Sequence, residues 1–140
     1  MRKNILAGIL LVIILMAGCG ASVNTNGVPD PDKIVPGRDV LIENLEDSGY
    51  TITALSVLDC ADFVVDRVVA KKGDKFIDIA YGLSGEEAGK AFELYCELYP
   101  DDYYILARNG NYIYCVSDKK TFSKAGFKST ANVGVQYISD

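Results

Sequence analysis

Residues 103–116 read YYILARNGNYIYCV, and this stretch decides the fold. Two runs of aliphatic and aromatic residues flank Asn109-Gly110, a dipeptide that readily supplies two positive-φ positions. A hairpin is therefore expected, with strands at 103–108 and 111–116 and its two-residue turn at 109-110. Opposite residues of an antiparallel pair share a face. That turn pairs Ala107 with Tyr112, Ile105 with Tyr114 and Tyr103 with Val116, all on one side. Tyr104, Leu106, Ile113 and Cys115 lie on the other. Both sides are too apolar for a sheet with one face in water. One is expected to carry the core. The other is either covered by a second element or is an aromatic platform. Tyrosine suits recognition because it offers rigid contact area with a hydrogen-bonding tip, so Tyr103, Tyr112 and Tyr114 are candidate binding residues.

Working outward, residues 84–99 form the clearest helix. Ser84 and Glu87 have the spacing of a capping box. Ala88, Ala91, Phe92, Tyr95, Leu98 and Tyr99 make an apolar stripe, with Pro100 beyond the end. Phe92 is the expected anchor of that stripe. Before it, Asp39 caps a helix running to about Ser48, stopped by Gly49. Residues 50–58, YTITALSVL, are β-branched and aromatic and read as a strand. The next stretch reads as a short turn or helix over 59–65, then a strand over 66–72. Gly73-Asp74 turns the chain into Lys75–Tyr81, where Ile77, Ile79 and Tyr81 share a face. Lys119–Ala125 is a short helix ending at Gly126, and the tail carries no clear signal. The fold class is α+β: a small antiparallel sheet of about five strands with helices packed on it. A helix at 59–65 would make the middle a split βαβ arrangement.

The N-terminus is organised differently. Arg2 and Lys3 precede an apolar run from Ile5 to Met16, shorter than the roughly 20 residues that span a bilayer. The run closes in Leu15-Met16-Ala17-Gly18-Cys19, which resembles the lipobox of bacterial lipoproteins, with Met16 where Leu, Val or Ile is usual. The resemblance implies that the Cys19 thiol takes a diacylglyceryl group and that residues 1–18 are cut away as a signal peptide. It further implies a membrane-anchored, extracytoplasmic location. Two acyl chains give stable anchoring to a lipid bilayer where one would be marginal. Residues 19–37 then read as a lipidated end and flexible tether, rich in Gly, Ser, Asn, Asp and Pro. Residues 38–140 read as a single domain.

The chain has 140 residues, a formal charge of −5 and no His. Loss of Arg2 and Lys3 with a signal makes the remainder more negative still. An acidic domain is a poor nucleic-acid binder, because that affinity rests on neutralising phosphates. Without His, the commonest metal ligand and near-neutral acid–base group is missing. Residues 22–33 loosely match a calcium loop, but Lys33 stands where a bidentate Glu is needed, and no metal or cofactor site is read. Cys60, Cys96 and Cys115 remain after lipidation. Cys96–Cys115 is the candidate disulfide, since Cys115 shares a face with Leu106 and Ile113 and Cys96 flanks the helical stripe expected to pack there. All three free and buried is the alternative. Ser117 and Lys120 have an S-x-x-K spacing without the other motifs of penicillin-recognising enzymes, and Ser117 reads as a helix cap. The acidic groups Asp59/Asp62/Asp66, Glu86/Glu87 and Asp101/Asp102 have no separation that sequence can set.

The expected function is that of a non-enzymatic binding or accessory domain for a protein or glycan of the cell envelope. The rivals are an enzyme acting on wall or sugar polymer, and a structural or inhibitory protein–protein module.

Overall fold

The computed structural model describes residues 30–59, 63–101, 103–128 and 135–138. In chain order these form α1 (Pro31–Ile34), α2 (Arg38–Asp47), β1 (Thr51–Asp59), β2 (Val64–Lys72), β3 (Lys75–Tyr81), α3 (Gly85–Leu98), β4 (Ile105–Asn109), β5 (Tyr112–Val116), α4 (Lys119–Ala125) and β6 (Val135–Ile138). The strands make one six-stranded sheet in the order β1-β2-β3-β5-β4-β6. Every neighbouring pair is antiparallel. The architecture is α+β, with one strand more than the sequence suggests. That strand is β6, which pairs with β4 at the sheet edge.

Strand alternation sorts the core into two layers. Val68, Ala70, Ile77, Ile79, Tyr81, Ile105, Ala107, Tyr114 and Val116 face one side, under Ile34 and Val35, Leu41 and Leu45 of α2, and Phe122 and Ala125 of α4. Val65, Ala80, Leu106, Ile113 and Cys115 face the other, under Ala88, Ala91 and Tyr95 of α3. Helices therefore cover both faces, which explains why neither hairpin face is polar.

The capping box at Ser84 and Glu87 is present. Small side chains at Ala88 and Ala91 let α3 lie close on the sheet. Phe92 is not its buried anchor: it is half-buried and stacks on Tyr137 of β6, ring centroids 5.9 Å apart. Leu98 is 47% exposed.

The β2–β3 turn falls at Gly73-Asp74, with Lys72 opposite Lys75. The β4–β5 turn is shifted by one residue, to Gly110-Asn111, so Asn109 faces Tyr112 and Ala107 faces Tyr114. The pairing slips by two residues, and because side chains alternate with period two, the residues of β4 and β5 keep their expected faces. Tyr103 and Tyr104, which precede β4, instead each pack on the face opposite to the one expected. Gly110 takes the positive φ of +59°, and a Cβ there would lie 2.7 Å from Pro31 Cγ. The turn is thus set partly by α1, a distant segment.

Two expected boundaries are corrected. Asp59 belongs to β1, and Val64 and Val65 belong to β2, its direct antiparallel neighbour. A helix over 59–65, and with it the split βαβ arrangement, is absent at these positions. Valine-rich chain fits a pleated, buried surface better than a helix. Residues 60–62, including Cys60, lie outside the described residues. The tether also ends earlier than residue 37. Ile34 and Val35 are 3% and 4% exposed. The Tyr81 hydroxyl donates to the Pro36 carbonyl at 3.1 Å, and the Lys128 N–H to the Ile34 carbonyl at 3.2 Å. Residues 31–36 belong to the folded domain, and residues 20–29 lie outside the description. No described helix is long and apolar enough to cross a membrane.

Candidate functional site

The three tyrosines expected to form a platform are separated. Tyr114 is fully buried, packed against Phe127 with ring centroids 4.7 Å apart. Burial pushes its phenol pKa up. Tyr103 precedes β4 and packs against the opposite cluster, beneath α3. Tyr112 is half-buried, meets Tyr81 edge-on at 5.9 Å and donates its hydroxyl to Asp32. That hydrogen bond, with burial behind it, pushes the Tyr112 pKa up to about 12. There is no aromatic platform, because α2, α4 and the Ile34–Val35 segment cover the sheet face on which it was expected.

Cys96 and Cys115 do come together under α3, as free thiols rather than a disulfide. Burial raises the Cys115 pKa strongly, and Cys96 is raised for the same first reason. Neither is an activated nucleophile. Cys19 lies outside the described residues.

The sheet's most elaborate polar cluster was not anticipated from sequence. Asp78 is fully buried in β3 beneath α3. Its Oδ1 accepts from Arg67 Nε at 2.8 Å and from the Tyr95 hydroxyl at 2.7 Å. Its Oδ2 accepts from Arg67 and from the Tyr99 hydroxyl. The hydrogen bond to Asp78 raises the Arg67 pKa. Burial first, then the Asp78 charge, raises those of Tyr95 and Tyr99. Both carboxylate oxygens are satisfied inside the layer, so this cluster pins α3 to the sheet. The clue in sequence is a lone Asp in KFIDIAY: with both faces apolar, a charge in that strand must be buried and paired.

At the end of the sheet where β2 turns into β3, a cavity of about 380 Å³ is lined by Asp47, Ser48, Tyr50, Lys72, Lys75, Lys120 and Lys124. Lys72 is held in place: its Nζ donates to the Ser48 carbonyl at 2.7 Å and lies 5.7 Å from the centre of the Tyr50 ring. Lys120 and Lys124 are one turn apart on α4, a like-charge spacing that costs helix stability. None of the four lysines makes an ion pair with a described carboxylate.

A short polar relay braces this wall. Asp118 caps α4 by accepting from the Thr121 N–H at 2.9 Å. The Thr121 hydroxyl donates to the same carboxylate at 2.6 Å. Having spent its proton there, Thr121 accepts from the Tyr50 hydroxyl, 2.7 Å away. Burial works against the Asp118 charge, but the bonds from Thr121 and Ser117 and the field of Lys75 outweigh it and hold the pKa low. Ser117 is therefore committed to Asp118 and to the Phe76 N–H.

No protein-family model, curated protein or solved structure matches this chain.

A second cleft of about 400 Å³ lies at the opposite end of β3 and β5, lined by Pro31, Asp32, Gly82, Leu83, Gly110, Asn111 and Tyr112. Among the described residues, no three His, Cys, Asp or Glu side chains gather as a metal site.

Proposed function

We propose that this chain is the precursor of a lipid-anchored, extracytoplasmic lipoprotein whose domain acts by binding a component of the cell envelope, not by catalysis. The observation that carries the binding reading is the cavity that gathers four lysines in a chain of net charge −5. Cations gathered around a concave site focus their field on an anion, and Asp47 is the single carboxylate in this lining. The chain keeps them there although Lys120 and Lys124 repel each other along α4. The anchoring reading rests on Ala17-Gly18-Cys19 after a short apolar run. The second cleft favours a glycan as the alternative ligand, because the Asp32 carboxylate, the Tyr112 ring and the Asn111 amide line it together.

Metabolic labelling with a fatty-acid analogue tests the anchor: label is expected in the wild type and absent from Cys19→Ala. Equal labelling of both would refute it. Retained cell-surface accessibility of the labelled protein to a membrane-impermeant reagent is the matching expectation for location.

A further inference from the structure

We propose that the lysine cavity is a site for a phosphoryl group carrying two or more negative charges. This rests on the binding reading above and adds the ligand's chemistry.

The chemistry follows from the donor set. All four cations are lysines, and no arginine lines the cavity. A guanidinium binds carboxylate and phosphate alike as a planar fork, whereas an ammonium is a compact, strongly hydrated point charge, so four of them around one cavity select an anion by its density of charge. Lys72 is already oriented by Ser48 and Tyr50, which lowers the ordering cost of one contact. An anion seated between Lys120 and Lys124 relieves their repulsion, so binding gains on both counts. About 380 Å³ is ample for two or three linked phosphates.

The test uses the full-length lipidated protein in nonionic detergent, titrated with tripolyphosphate and, separately, with citrate at matched ionic strength. Tripolyphosphate is expected to bind the wild type, citrate far more weakly. The Lys120→Gln/Lys124→Gln double variant is expected to lose about tenfold or more in affinity while melting no lower, because two of four focused charges go while helix-forming side chains remain. Equal binding of both anions would overturn the phosphoryl assignment and leave the cavity as the binding site. Binding of neither would overturn the binding reading of the cavity itself. The same protein reconstituted in phosphatidylcholine vesicles, with and without phosphatidylglycerol, separates a soluble phosphoryl ligand from a lipid headgroup. Unchanged tripolyphosphate affinity is expected at physiological salt, where surface charge is screened within about 8 Å. Competition by phosphatidylglycerol, whose phosphodiester carries a single charge, would assign the site to lipid headgroups and overturn the multiply charged ligand.

Discussion

At the scale of single residues, Asp78 carries the most weight. It is a fully buried carboxylate whose four hydrogen bonds come from Arg67, Tyr95 and Tyr99. Tyr95 sits on α3 and Tyr99 is its C-cap, so one side chain in β3 ties a helix to the sheet by polar contacts, of which the Tyr95 bond is fully buried. Removing one partner of a buried ion pair leaves the other uncompensated, at a cost of about 3–5 kcal/mol. That is a large share of a small domain's stability of about 5–15 kcal/mol. Asp78→Ala is therefore expected to lower the denaturant midpoint severely or to prevent folding. A loss under about 1 kcal/mol would mean that α3 is held by its alanines and Tyr95 packing alone. The position was partly legible in sequence as a charge within an apolar strand. Its partners were not, because Arg67 comes from another strand and Tyr95 and Tyr99 from a helix.

At the scale of elements, the capping box of α3, the Gly73-Asp74 turn and the helix stop at Gly126 were all readable, because each is written in a few adjacent residues. The face assignments of β4 and β5 also held, since a two-residue slip preserves alternation. What misled was whatever a distant segment decides. The turn moved to Gly110-Asn111, where Gly110 faces Pro31. The segment before residue 38 was read as unstructured from its polar composition, yet Ile34 and Val35 are buried over the sheet. The sixth strand has only four residues, too short a run for its alternation to be read. The coupling between α1 and the hairpin turn is testable. Gly110→Ala places a side chain at φ +59° and against Pro31. It is expected to cost more than about 1 kcal/mol and to make the chain near residues 31–36 newly sensitive to proteolysis in native conditions. Unchanged protection there would show that α1 docks independently of the turn.

At the scale of the whole molecule, the sheet is covered on both faces, and its two ends are chemically different. One end bears Asp32 of α1; the other gathers Lys72, Lys75, Lys120 and Lys124. Net charge hid this polarity, since the cavity's cations come from the end of β2, the start of β3 and one face of α4. No run in the sequence joins those segments. The candidate platform at Tyr103, Tyr112 and Tyr114 was a reading of local pattern, and the cavity is a product of topology. The most direct test of the cavity as the functional end is lysine footprinting by reductive methylation of the full-length protein, with and without tripolyphosphate, read by mass spectrometry. Lys72, Lys75, Lys120 and Lys124 are expected to be protected together, while Lys33, Lys71, Lys90 and Lys128 react as before. Protection spread evenly over all eight, or none at the four, would contradict the account.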